Sequence, residues 1–161
     1  MKISKTEFLA ILQSLKPGIA KKEIVEQFTS FIFNNDTVFT YNDDVAVQHP
    51  LDSGFVGSLN ADKLTSFMDK LKDDEVSMNV VDSEVIFKCG KITSGFKLDS
   101  NIDHMLSHIK ALGSPEKWFK VPEDLLQAIQ FCLFSAGTDA TKPKLMCLHF
   151  KENIVEATDG Y

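Results

Sequence analysis

The chain holds 161 residues, 43% hydrophobic, 25% charged and 10% aromatic, with a formal net charge of −6 from 17 basic and 23 acidic side chains. That length suits one domain or one and a part, and the composition excludes a disordered, collagen-like or coiled-coil chain. No apolar run approaches the roughly 18–20 residues that cross a bilayer. Glu7 interrupts the opening stretch before a signal-peptide core could form, and three scattered cysteines without a Cys-x-x-Cys pair suit a reducing cytoplasm.

Residues 5–15 place Phe8, Leu9, Leu12 and Leu15 on one face of an amphipathic helix, which Pro17-Gly18 stops. Lys21-Lys22-Glu23 falls in a connecting loop. Strands are expected at 28–33, 38–41 and 45–49, separated by the turn-forming runs Asn34-Asn35-Asp36 and Asn42-Asp43-Asp44. The pattern then restarts. A strand at 55–59 precedes a helix at 61–72 with Leu64, Phe67, Met68 and Leu71 on one face, then strands at 76–80, 85–89 and 92–98, the last two joined at Gly90-Lys91. Residues 5–98 therefore read as two copies of helix followed by three strands.

Residues 99–118 read as a connector with a short helix carrying Ile102, Met105, Leu106 and Ile109, and Gly113-Ser114-Pro115 is the sharpest break in the chain. After Pro122 the pattern begins a third time. A helix at 123–134 turns Leu125, Leu126, Ile129 and Leu133 inward, and strands at 145–150 and 154–157 flank a turn at Glu152-Asn153. Phe8 to Leu125, Leu9 to Leu126, Leu12 to Ile129, Phe31 to Leu148, Phe33 to Phe150 and Val38 to Val155 are all 117 residues apart. One offset thus aligns a helix and two strands, so a whole domain is repeated rather than a short solenoid unit. The expected organisation is one domain at 1–98, a connector at 99–118 and an incomplete second domain at 119–161. That second copy would need roughly 50 further residues, so the chain reads as a fragment or a short gene product.

All 17 bases are lysine. Without arginine the common bidentate contact to guanine edges is missing, while lysine still meets phosphates as a point charge. Lys2, Lys5, Lys16, Lys21 and Lys22 crowd the first 22 residues, and Lys63, Lys70 and Lys72 share a later helical stretch; residues 23–62 hold acids and no lysine. An acidic body with a basic face is the functional reading, uneven solvated charge the plain one.

Catalytic constellations are thin. His104 and His108 stand four apart on a helix beside Asp103, a spacing that could hold a metal for a small hydrolase, but no glutamate base lies between them and no third ligand is assigned. His49 and His149 fall in strands. The thiols lie in apolar runs, and Asp43-Asp44 and Asp73-Asp74 sit at turns, where aspartate serves the backbone. Neither enzymatic activity nor a cofactor or metal is expected.

Three stretches carry a resemblance: Glu7-Phe-Leu-Ala-Ile-Leu-Gln with strands ending Thr40-Tyr-Asn-Asp43; Asn60-Ala-Asp-Lys-Leu to Leu71 with the run Phe87-Lys-Cys-Gly-Lys91; and Phe119-Lys-Val-Pro122 with its helix, closing Glu156-Ala-Thr-Asp-Gly160. In order and spacing they resemble the N-terminal part of a bacterial or phage-type DNA sliding clamp, the β subunit of DNA polymerase III. Tyr161 stands where that family usually has histidine. The resemblance implies an α+β clamp fold of duplicated helix-plus-strands units, with antiparallel sheets outside and two helices on one face, followed by part of a second such domain. It implies a ring dimer that encircles duplex DNA and tethers polymerase and clamp loader. Lys5, Lys16, Lys21, Lys22, Lys63 and Lys70 would meet phosphates. Thr158 and Gly160 would border the partner-peptide cleft, and Val85, Phe87, Ile92 and Phe96 would form the subunit edge. A stand-alone clamp-like regulator or decoy is the alternative.

Overall fold

Two helices begin on side-chain caps. Ser4 Oγ accepts from Glu7 N at 3.4 Å at the start of α1 (Lys5–Leu15), and Asn60 Oδ1 accepts from Lys63 N at 3.0 Å at the start of α2 (Ala61–Lys70). The computed structural model describes all residues except 23, 24, 114–116, 118 and 119. Glu23, Ser114, Pro115 and Phe119, used in the sequence reading, therefore lie outside the described residues. The chain divides into two units, Met1–Gly113 and Ser114–Tyr161.

The first unit has two four-stranded antiparallel sheets. One has the order β4 (Ala46–Pro50), β3 (Thr37–Tyr41), β2 (Ser30–Asn34), β5 (Val56–Asn60). The other has the order β1 (Lys2–Ser4), β6 (Glu75–Val81), β7 (Glu84–Cys89), β8 (Ile92–Lys97). Each repeat is therefore strand, helix and three strands, and each lends its first strand to the other's sheet. Ile3 pairs with Val76 in one sheet, and Leu59 with Phe31 in the other. The sequence pattern does not reveal β1, and the strand expected at 55–59 completes the first sheet rather than opening the second. Three residues ahead of a helix cap are too few to show alternation.

The helix expected over 61–72 from periodicity ends at Lys70, because Leu71 turns extended with ψ 141°. Its apolar face and that of α1 meet both sheets in one core containing Phe8, Leu12, Leu15, Phe31, Phe33, Leu64, Met68, Val76 and Phe87. β2 is buried on both faces. Ile32 points away from the helices into a second cluster with Phe28, Phe39, Ile102 and Met105. The last two belong to the region of α3 (Asp103–Leu112), so residues 99–112 cover a sheet face rather than merely connecting, and the division falls at Gly113.

The second unit holds α4 (Leu125–Leu133), a short 3-10 turn at Pro143–Met146, and a hairpin of β9 (His149–Lys151) and β10 (Ile154–Glu156). The strand expected over 145–150 is strand only from His149. Pro143 opens a tight turn in which Leu145 N donates to Lys142 O at 2.9 Å and Leu145 O accepts from Gly137 N at 2.7 Å. Those bonds occupy the backbone groups a ladder would need.

Candidate nucleic-acid interface

α1 and α2 lie side by side and antiparallel. Lys5, at the start of α1, reaches the end of α2, where its Nζ donates to Leu71 O at 2.5 Å. At the opposite end, Lys16 and Lys21 share a hollow of about 320 Å³ with Ala61, Asp62, Thr65 and Ser66 of α2. Buried faces fix which residues look outward: Thr6, Glu7, Ala10, Gln13 and Ser14 on α1, and Asp62, Lys63, Ser66, Asp69 and Lys70 on α2.

Lys16, Lys21 and Lys22 are the densest positive group, and local chemistry holds them together. The Thr40 hydroxyl donates to Leu15 O at 2.6 Å, and Asn42 Nδ2 donates to Pro17 O at 3.1 Å, so β3 clamps the end of α1. Gly18 sits where a Cβ would come within 2.4 Å of Thr40 Oγ1 and 2.9 Å of Thr40 O. Only glycine lets the turn lie that close. The far end of the lysine loop is tied by Gln27, buried at φ 72°, whose Nε2 donates to Asp99 Oδ2 at 3.0 Å and to Asn101 O at 2.6 Å. The bond from Gln27, and then the Asn101 backbone N–H, hold the Asp99 carboxyl below its ordinary value. Lys16, Lys21 and Lys22 also border a wider hollow of about 670 Å³ with Asn42 and Asp44.

Lys16, Lys21, Lys22, Lys63 and Lys70 are exposed and form no ion pair among the described residues, where the pairs are Lys2–Glu75 at 3.0 Å and His149–Glu156 at 2.9 Å. Lys5 is half-buried, its ammonium spent on the C-terminal carbonyl of α2, where a cation also meets the helix dipole. The face is less basic than a count of lysines suggests. Glu7, Asp62 and Asp69 share it, and the same helical period that exposes Lys63 and Lys70 also exposes both aspartates. Gln27 carries no comparable signal; a polar residue before an aromatic strand reads as loop.

Val85 and Phe87 are fully buried in β7, an interior strand, and so do not lie on an edge. Inward side chains and an open edge are different properties of a strand, and alternation reports only the first. The open edge beside them is β8, with Ile92 exposed and Phe96 half-buried against Phe67 and Phe87 at ring-centroid distances of 5.3 Å. In the second unit Thr158 lines a hollow of about 390 Å³ with Lys144, Cys147, His149, Glu156 and Ala157, and its hydroxyl oxygen accepts from Gly160 N at 3.1 Å.

His104 and His108 approach with Nε2 atoms 3.2 Å apart, and His108 stacks on Tyr41 at 5.0 Å. Desolvation, then the Asp43 carboxylate, raises the Tyr41 phenol above its ordinary value. Asp103 does not complete a metal site with the histidines: among the described residues no three His, Cys, Asp or Glu side chains gather to hold a metal. No described helix is long and apolar enough to cross a membrane.

No family model matches the sequence. A search of curated proteins likewise gives no match. Solved structures do resemble it. The β subunit from DNA polymerase of Streptococcus pyogenes aligns over 98% of this chain and 46% of its own, with TM-score 0.75 and 18% identity. A putative DNA polymerase III β subunit from Eubacterium rectale aligns over 99% and 47%, with TM-score 0.74 and 16% identity. The DNA polymerase sliding clamp of Bacillus subtilis gives TM-score 0.71 at 17% identity over 98% and 47%. The chain spans about half the length of these proteins and has the fold of the DNA sliding clamps, with antiparallel sheets and helices as expected from sequence.

Proposed function

We propose that the chain serves in a DNA polymerase processivity factor, a non-catalytic clamp that encircles duplex DNA and tethers a polymerase and its loader in the cytoplasm. The observation that carries this reading is the cluster of exposed Lys16, Lys21 and Lys22, without an ion pair among the described residues, beside the N-terminal end of α2 on a sliding-clamp fold. Lysines meet phosphates without reading bases, so the grip is independent of sequence and permits sliding. Lys63 and Lys70 extend the basic face along α2, and Lys5, its ammonium bonded to Leu71 O, adds only its charge at the other end. The β8 edge, with Ile92 and Phe96, is the proposed seam for ring closure. Thr158 and Gly160 contribute to the partner-peptide site.

The test is fluorescence anisotropy on duplex DNA across a salt series. Replacing Lys16, Lys21 and Lys22 together with serine should flatten the log–log salt slope by about 2–3, roughly 0.9 for each phosphate no longer neutralised, equally on unrelated duplex sequences. An unchanged slope removes these lysines from the interface. Polymerase binding without any duplex binding would favour the regulator reading instead.

A further inference from the structure

We infer that His104 and His108 form a two-imidazole site for a first-row divalent transition metal such as Ni2+ or Zn2+, and that an ion held there stabilises α3 as the cover of its sheet. The inference rests on the first unit alone and needs no DNA-binding role.

A separation of four residues puts both rings on one side of α3, one turn apart. Spacing alone does not say where the nitrogens point. Here the two Nε2 atoms face each other at 3.2 Å. Two nitrogens bound 2.0–2.1 Å from one ion, at angles between a right angle and the tetrahedral one, stand about 2.8–3.4 Å apart. The pair is therefore already spaced as neighbouring ligands. The rings meet edge-on at 82° rather than stacked. In the hydrogen-bonded pair one Nε2–H donates to the other Nε2. With each proton on Nδ1 instead, both Nε2 lone pairs are free for a cation, which takes the place of the shared proton.

The sheet holds one of the two ligands in place. His108 is half-buried and stacks on Tyr41 at 5.0 Å and 24°. Tyr41 in turn meets Phe28 edge-on at 5.4 Å. Ile102 and Met105 are buried in the same cluster, with Phe28, Ile32 and Phe39. The His108 ring is thus fixed before an ion arrives, and only the exposed His104 remains to be ordered. Preorganisation of this kind lowers the entropic cost of binding.

Two protein ligands make an open site, whose other positions fall to water. Imidazole nitrogen suits nickel, copper and zinc, whereas magnesium and calcium take oxygen. The consequence for the fold follows from the helix. α3 has 10 residues, a length that is marginal in water without packing. The two Nε2 atoms meet only while residues 104–108 are helical, and Met105 packs on the sheet from within that turn. An ion that binds the helical turn and not the unwound one favours the packed cover by mass action.

Isothermal titration of the chain with Ni2+ tests this. One ion per chain is expected, with Co2+ weaker than Ni2+, and Mg2+ and Ca2+ giving no binding heat at the same concentrations. His104→Gln and His108→Gln should each weaken Ni2+ binding at least ~10-fold. His49→Gln, His149→Gln and Cys147→Ser should leave it unchanged. Hydrogen exchange gives a second readout. Ni2+ should slow exchange of the α3 amides in the unmodified chain and not in His104→Gln, a variant at an exposed position outside both apolar clusters. Absence of Ni2+ binding by the unmodified chain overturns the inference. So does binding that survives His104→Gln, binding lost in Cys147→Ser or His149→Gln, or binding that leaves α3 exchange as it was.

Discussion

Phe33 and Phe150 occupy matching positions in hairpins of identical register, yet one is sealed in a core and the other is half in water. The hairpins need only local chemistry: a tight turn with Asn35 or Glu152 at positive φ, and apolar residues flanking it. Sealing needs a second half. In the first unit β5 pairs along the whole of β2, whereas β9 has a ladder on one side among the described residues. The same pattern therefore yields the same local structure and a different energetic role, because buried area is a property of the partner as much as of the residue.

The largest effect that could break this comparison is a matched truncation. Phe33→Ala should destabilise the first unit by about 3–5 kcal/mol in urea unfolding, by lost transfer energy and the cavity left behind. Phe150→Ala, in the chain as given, should cost under about 1 kcal/mol. Equal costs would mean that exposure does not distinguish the two sites.

A second substitution attacks the seam itself. Gly57 faces Phe33 across β2 and β5 at φ 150°, and a Cβ there would stand 2.5 Å from Leu98 Cδ1 and 2.8 Å from Asp99 O. Gly57→Ala should cost about 2–3 kcal/mol from strain and overpacking together. It should also raise binding of an apolar dye to the first unit, making that unit resemble the second. Unchanged dye binding alongside reduced stability would separate seam closure from simple strain.

The smallest effect concerns helix starts. Asp74 accepts from Thr6 N at 3.2 Å and from the Thr6 hydroxyl at 3.1 Å, and these bonds, with one from Ser4, hold its carboxyl below the ordinary 3.8. A depressed carboxyl contributes stability that is present above its unfolded value and lost as pH falls through the native one. Unfolding followed from pH 5 to 2.5 should thus steepen below about pH 4, and Asp74→Asn should flatten that limb. At α4 the capping position, Asp124, makes no side-chain cap bond, so Asp124→Asn is the matched control for the loss of a cap.

Much of the architecture is legible in the chain. Helical spacing of Phe8, Leu12 and Leu15, and of Leu64 and Met68, marks both core faces, and the Asn-Asn-Asp and Asn-Asp-Asp runs mark the turns. These features are local. What escapes is set by residues far apart: β1 pairing with β6 some 70 residues on, β5 joining the first sheet, and α3 lying on Ile32 and Phe39. Within the interface, the lysines stand out in the sequence, whereas Asp62 and Asp69 matter only once the helix face that they share with Lys63 and Lys70 is known. No sequence signal reveals that Lys5 spends its ammonium on Leu71, since that bond depends on where α2 ends.

The strand exchange also imposes a timetable. β1 leaves the ribosome ahead of its partners Glu75, Val76 and Ser77, which are made some 70 residues later. At about 5–20 residues per second, that interval is on the order of 4–15 s. Throughout it Ile3 lacks its native strand partner, while the residues of α1 and of the β2–β3 hairpin are already made. The sheet that β1 completes can therefore close only after β6 is made, so its assembly is set by the length of chain between the two strands.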